Sequence, residues 1–515
     1  MSSRSIAGLF DDWKTAHDCL TRATQSFFDT CVALLQVIDE SPTSFARDRS
    51  IEEVVIGVYN RTEPVSTAMK QLRESQVIVR RINNTSTKWM PINVLPPELM
   101  SRIFALVVSS SACTGDESYL LSTSYYERSY ITHPLVTIPS VCTRWRQLAT
   151  GTPSLWSHVD IQDQLRGKKD MNVLPRTRFW LERARDVPLS LHIGNIYQES
   201  GNGSELLSLL KPHITNLYSL MFSGESGAYF WSILHLYAEV CPLGSLASLS
   251  LRSVKGDGFA VGPFTWPTNA LRGLTSLHIG GLPLAKCPSM DQLVNMLTNS
   301  PALHTLKLWS SRFAPLSGGR NCPEVDLPCL RRLRLDYLLD YTLTTLLNLL
   351  MPGPLELDVG LLLGSKASSE SYAAVLSFLK RTNIFCLSLR GVNTTRLAEQ
   401  LGCVPKLRML ELIYETGETC ANLGALTVPG IMTDKFDARC PSLQLLWING
   451  SHVDSETYIQ LQRIVSCHYL NAIVFGDRTV IHNPIRKTMV EWLRERVKSV
   501  ACYPMRSFGS VVGRE

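Results

Sequence analysis

The sequence predicts a mixed α/β protein in which an N-terminal all-α region precedes an irregular solenoid of repeats built on a parallel sheet. Three observations carry this expectation. Apolar residues recur every three or four positions from Leu9 to Ile38, which marks one face of a long helix. Two Pro-flanked apolar stretches, 92–107 and 141–156, read as further short helices. From residue 217 onward the phrase Leu-x-x-Leu-x-Leu, or a close variant, keeps returning. Alternate leucines of a short strand point the same way, and a single repeat cannot bury them alone, so the strands must stack.

The N-terminal stripe consists of Leu9, Trp13, Ala16, Leu20, Ala23, Phe27, Cys31, Leu34 and Ile38, and Pro42 is expected to end it. A second stripe carries Ile51, Val55, Val58, Val65, Met69, Leu72, Val79 and Ile82, cut into two pieces by Pro64. Residues 1–90 are therefore expected to form a helical hairpin or small bundle. A dimerising coiled coil is the alternative. Pro64 breaks the second seam before it reaches the three or four heptads such a coil wants, which favours an intramolecular pair.

Residues 91–160 follow. Pro96 and Pro97 suit a helix start, where a missing N–H costs nothing, and Glu98 complements the helix dipole. Leu99, Ile103, Phe104 and Val107 then form a stripe that should bury itself. The Ser-, Thr- and Tyr-rich segment 109–133 reads as a surface loop. Helical spacing returns with Val141, Trp145 and Leu148, after which Thr152 is expected to cap a short helix opened by Pro153. Three helices of this size bury little on their own, so a partner is implied.

The run Leu95, Pro96, Glu98, Leu99, Ile103, Phe104, Val141, Cys142, Trp145, Leu148, Leu155 and Trp156 resembles the F-box, in that family's order. Two departures are the long loop and the missing Asp-Leu before the second helix, with Pro139 close to its place. The long Ser-rich loop is similar to those of basidiomycete fungal F-box proteins. The resemblance implies docking on the Skp adaptor and, through it, a cullin ubiquitin ligase, in the cytoplasm or nucleus. It implies adaptor-binding roles for Leu95, Pro96, Leu99, Ile103, Phe104, Val141, Trp145, Leu148, Leu155 and Trp156.

Residues 161–485 carry the repeated phrase: Leu217-x-x-Leu220-x-Phe222, Leu246-x-x-Leu249-x-Leu251, Leu274-x-x-Leu277-x-Ile279, Leu303-x-x-Leu306-x-Leu308 and Leu330-x-x-Leu333-x-Leu335. It resumes at Leu407-x-x-Leu410-x-Leu412, Leu443-x-x-Leu446-x-Ile448 and Leu470-x-x-Ile473-x-Phe475, with Leu355-x-Leu357 and Leu387-x-Leu389 partly filling the gap. This is leucine-rich-repeat spacing. The place of the consensus Asn or Cys holds Ser, Gly, Tyr or Trp, so an irregular arc is expected. Residues 486–515 read as a terminal cap helix and tail. Strand alternation turns Arg252, His278, Lys307, Trp309, Arg332 and Arg334 to the face opposite the leucines, with Glu411 and Trp447 further along. Such a basic and aromatic patch suits an acidic or phosphorylated peptide segment of a target protein.

Composition excludes other classes. The 515 residues, 45% of them apolar, exceed one core. A net charge of +6 is a weak case for nucleic acid, because much of the excess lies at the C-terminal end rather than in a fold-sized patch. The most apolar run, "LLNLLMPGPLELDVGLLLG", is broken by prolines and acids, so a membrane span is not expected. The start lacks a signal layout, so secretion is not expected. Fourteen cysteines without a C-x-x-C pair read as buried thiols, and the sequons as chance matches. Cys467-His468 reads as a core cysteine beside a surface histidine rather than a zinc site. Gly360 to Lys366 is one residue short of a phosphate-binding loop. His133, His158, His278, His304 and His452 are scattered, and the common catalytic motifs are missing. The expectation is a non-enzymatic substrate receptor without cofactor or metal. Its rivals are a scaffold with a vestigial F-box and a basic-tailed nucleic-acid binder.

Overall fold

The computed structural model describes residues 5–40, 62–85, 91–111, 134–161, 173–194, 203–223, 227–252, 265–317 (save 283 and 285), 324–362, 368–390, 394–414, 423–429, 436–450, 452–476 and 479–502 (save 482), with short pieces at 53, 56–59, 164–165 and 168–169. The chain divides into two compact units, 1–96 and 97–515.

The first unit holds helices α1 (Ile6–Glu40) and α2 (Thr62–Thr85). α1 ends two residues before Pro42, because proline disfavours helical backbone in the residue ahead of it. Pro64 is the third residue of α2; in the first turn its missing N–H costs nothing, so it opens this helix instead of breaking it. A helical piece at 56–59 precedes it, while positions 51 and 55 lie outside the described residues. The expected burial of the two stripes against each other is not found: Leu9, Trp13, Leu20 and Phe27 of α1 and Val65 and Met69 of α2 are exposed. Leu34, Leu72 and Val79 are half-buried.

The second unit begins with α3 (Pro97–Ser111), α4 (Pro134–Val141), α5 (Thr143–Gly151) and a 3-10 turn, Pro153–Trp156. Met100, Phe104 and Val108, four residues apart on one face of α3, are buried with Leu135, Ile138, Ala149, Leu155 and Trp156. Phe104 meets Trp145 at a centroid distance of 5.0 Å, and Trp156 Nε1 donates to the Ala149 carbonyl at 2.7 Å. Trp156 also packs edge-on against Phe179 and Trp180 of the next helix, Val173–Ala184.

Two expectations are corrected here. Val141, Trp145 and Leu148 do not share one helix: Pro139 lies inside α4, which ends at Val141, and extended Cys142 caps α5 by accepting from the Trp145 N–H at 3.4 Å. α4 opens at Pro134, and Leu135 supplies the buried leucine near its start. Thr152 makes no side-chain cap for the 3-10 turn; its hydroxyl donates back to the Leu148 carbonyl at 2.8 Å and lies 3.2 Å from Ser101 Oγ, tying α5 to α3. The segment 112–133, expected as a surface loop, lies outside the described residues, as does His133.

Beyond the turn runs one 13-stranded sheet whose spatial order follows chain order. Its strands are β1 (His158–Ile161), β2 (Leu189–Ile193), β3 (Leu217–Ser223), β4 (Ser248–Arg252), β5 (Ser276–Gly280), β6 (Thr305–Trp309) and β7 (Arg332–Asp336). β8 (Leu357–Leu362), β9 (Ile384–Arg390), β10 (Met409–Ile413), β11 (Leu445–Asn449), β12 (Ala472–Phe475) and β13 (Ser499–Cys502) complete it. Every neighbouring pair is parallel, and one row of Cα partners joins Leu220, Leu249, Leu277, Leu306, Leu333, Val359, Leu387, Leu410, Leu446, Ile473 and Val500. All but the last are buried, together with apolar side chains of intervening helices, such as Leu293 and Leu297 of Met290–Thr298 and Val375 and Phe378 of Ser369–Arg381. Helix Met290–Thr298 starts with a full capping box between Ser289 and Gln292.

The register corrects the weakest repeat. Leu355 is exposed, and the residues in line with Leu333 and Leu335 are Val359 and Leu361. Gly360 accordingly belongs to a strand, where a Cβ would collide with the Arg334 side chain; residues 363–366 of the supposed phosphate loop lie outside the described residues. Met489 and Leu493 of helix Asn483–Arg496 are buried, as is Val497 just past its end, but the sheet ends on strand β13 rather than on that helix. His468 is buried and Cys467 only half-buried, the reverse of the expectation, because the His468 N–H closes the helix end onto the Ile464 carbonyl at 2.9 Å. No described helix is long and apolar enough to cross a membrane.

Candidate protein-interaction surfaces

The face of α3 beside its buried one is apolar and exposed. Leu99, Ile103, Leu106 and Val107 project from it, and Val136 and Val141 of α4 are exposed as well. An amphipathic helix normally turns this much apolar surface inward; here the inward role is already filled by Met100, Phe104 and Val108. Residues 92–162 match the F-box-like family. No curated protein matches the chain. The F-box-like domain points to adaptor binding in a Skp-cullin type of ubiquitin ligase.

The ten residues assigned to adaptor docking separate into three groups. Pro96, Leu99, Ile103 and Val141 are exposed, while Leu95, Trp145 and Leu148 are half-buried. Phe104, Leu155 and Trp156 are at most 2% exposed, so they build the core of the F-box-like domain and present no surface. Leu106 and Val136 are exposed beside the first group without belonging to the ten. Leu106 lies three residues after Ile103, a spacing that already signals the shared face.

The second surface is the sheet face opposite the leucines. One row of Cα partners there runs Asp160, His192, Met221, Ser250, His278, Lys307, Arg334, Gly360, Ser388, Glu411 and Trp447. The expected basic patch is brought together on β4 to β7, but its arginines are not open forks. Arg334 donates to both carboxylate oxygens of Asp358, at 2.8 and 2.9 Å, and Arg332 Nε donates to the same group at 3.2 Å. Asp358 lies beside Arg332 only through the β7–β8 register. Lys307 is 8% exposed. Trp309 folds over Gly280, where any Cβ would strike the indole. Further along, Ser388 donates to Glu411 at 2.6 Å, and Ser250 Oγ and Trp447 Nε1 are buried without a hydrogen-bond partner among the described residues.

A network at the start of the sheet had no sequence signal. Asp160 Oδ1 accepts from His158 Nε2 at 3.2 Å and from His192 Nδ1 at 2.9 Å. His192 Nε2 in turn lies 2.9 Å from the Ser223 hydroxyl oxygen. The connectivity is that of a serine–histidine–carboxylate relay. Its members sit on three adjacent strands and share one carboxylate oxygen with a second imidazole, an arrangement that clamps β1, β2 and β3 together. Burial alone would raise the Asp160 carboxyl, but the hydrogen bonds from His158 and His192 outweigh it and hold the group well below the usual carboxylate range. Among the described residues no group of His, Cys, Asp and Glu could hold a metal ion.

These groups give the fold a directed pH dependence. His278 is pushed down to about 3 by burial and by Lys307, Arg252 and Arg332, so it stays neutral in the fold while the unfolded chain protonates below about pH 6.5. Its contribution to stability is full above that value and drains away as the pH falls toward 3. Asp160 is depressed too, so its contribution is full above about pH 4 and is lost below it. The thermal midpoint is therefore expected to fall between pH 7 and pH 5, and His278→Asn to flatten that fall, whereas Asp160→Asn alters only the more acid limb. Scanning fluorimetry across pH 3.5–8 checks both.

Proposed function

We propose that the chain is the substrate-recognition subunit of a Skp-cullin-F-box ubiquitin ligase and is not itself an enzyme. The observation that carries this reading is the exposed apolar face of α3 and α4 inside the F-box-like match: it is the docking surface for the Skp adaptor, through which the cullin is reached. The sheet acts as a leucine-rich-repeat solenoid whose polar face holds a target protein, with Arg252, His278, Lys307, Trp309, Arg332 and Arg334 at one end and Glu411 and Trp447 at the other. Two features support this. His278, Lys307 and Arg334 stand in one row of register partners on neighbouring strands, with Arg252 two residues beyond that row on β4, so their side chains share one face. The arginine cluster, tempered by Asp358, leaves a net positive stretch suited to an acidic or phosphorylated segment. The reading places the protein in the cytoplasm or nucleus, with neither nucleic acid nor membrane as partner.

Affinity purification of the full chain from its own cells, followed by mass spectrometry, tests the whole reading. Skp adaptor and cullin are expected together with a target set, and loss of specific targets is expected with Arg332→Gln/Arg334→Gln while the adaptor stays. Recovery of targets without any adaptor would instead favour the scaffold with a vestigial F-box.

A further inference from the structure

We propose that a second copy of the chain covers the apolar stripe of α1, the two helices forming a parallel coiled coil. Leu9, Trp13, Ala16, Leu20, Ala23, Phe27 and Leu34, with polar Thr30 filling the one position before Leu34 where the apolar stripe steps aside to Cys31, lie at alternating four- and three-residue steps. That is a strict seven-residue repeat over more than three heptads, the length at which a coiled-coil seam becomes stable. A strict 3.5-residue period also commits a helix to supercoiling around a partner of the same period. The stripe is open: Leu9, Trp13, Leu20 and Phe27 are 49%, 46%, 42% and 57% exposed.

Three features select a second copy over α2 as the occupant. The first is length. α1 has 35 residues and α2 has 24, so at 1.5 Å per residue α2 would leave roughly 16 Å of α1 without a partner. A second α1 matches it end to end. The second feature is the flanks of the seam. Phe10, His17, Thr24 and Cys31 line one side and Asp12, Cys19, Ser26 and Ala33 the other, so no like charges oppose each other between two parallel copies. The one acidic flank position, Asp12, lies five residues before His17, the separation at which a flank residue of one parallel helix meets the opposite flank of its partner. The third feature is area. Phe10, Trp13 and Phe27 alone leave about 300 Å² of apolar surface per copy, and two copies with their leucines added reach the roughly 1,000 Å² of a specific interface.

The consequence for the proposed receptor is that one assembly would carry two adaptor-docking faces and two target faces, so that a target with two recognition segments is held by avidity. The dimer itself does not depend on that reading.

Sedimentation equilibrium of the full chain at micromolar concentration is expected to give twice the chain mass, and Leu20→Glu/Phe27→Glu the single mass. Adaptor capture by the variant is scored in the same preparation, so failure of the F-box reading and failure of the dimer are read separately. Orientation is tested with Ala16→Cys in a Cys19→Ser/Cys31→Ser background. Position 16 faces its own counterpart in a parallel pair, so mild oxidation is expected to convert most of the chain to a disulfide-linked dimer. A monomeric wild-type chain, a dimer that survives Leu20→Glu/Phe27→Glu, or a dimer that resists cross-linking at position 16 would each overturn the proposal.

Discussion

Replacing Leu99 and Ile103 together with glutamate is expected to abolish capture of the Skp adaptor while leaving the chain folded. Both side chains lie on the exposed face of α3, at 49% and 37% exposure, so the free chain loses little when they become charged. In the complex they would be buried, where losing a large apolar side chain costs about 2–5 kcal/mol and an unpaired carboxylate costs more. Each 1.4 kcal/mol is a factor of ten in affinity, so a micromolar or tighter docking is expected to weaken by at least about a thousandfold. Phe104→Ala is the informative contrast. Phe104 is 1% exposed and packs at a tilt against Trp145, so that substitution is expected to lower the thermal midpoint through about 3–5 kcal/mol of lost packing, with adaptor loss only as a secondary effect. Titration of adaptor against each variant, beside its melting curve, separates the two. Undiminished binding by the Leu99→Glu/Ile103→Glu variant would remove this face from the docking surface.

Leu333→Asp is expected to unfold the sheet region. Leu333 is fully buried and is flanked in register by Leu306 and Val359, both also fully buried. An aspartate there would have to remain charged in an apolar row or take up a proton at a cost, and either route consumes several kcal/mol. Set against a typical total stability of about 5–15 kcal/mol, that is enough to populate unfolded chain. Leu333→Met, which conserves volume, is expected to cost under about 1.5 kcal/mol. Circular dichroism and limited proteolysis distinguish the two, and a cooperative melt of Leu333→Asp near that of wild type would contradict the buried placement.

Local pattern made several elements legible. The period of α1 named its helix and Pro42 its end. The leucine phrase named β3 to β7 and β10 to β12, down to the individual buried side chains, because in a two-residue period the identity of the alternate residues is the packing itself. It faltered at β8, where Val359 and Leu361 replace the leucine phrase, and at β1, β2 and β13, which lie outside the repeated phrase. In α3 the sequence marked an apolar stripe but could not divide it. Phe104 turns to the core while Leu99 and Ile103 turn outward, and a stripe wider than one contact looks the same whether its second half meets its own fold or another protein.

The sequence by itself determined which residues share a face. What only the tertiary structure decided was which neighbour each face meets. Asp358 reaches Arg332 and Arg334, Asp160 reaches His192, and His192 reaches Ser223, across separations of 24 to 32 residues. Those distances vanish because parallel strands about 4.8 Å apart are locked in register. The register is fixed by burial of the leucine row on the opposite side of the sheet, a cooperative property of many repeats that no short stretch of chain contains.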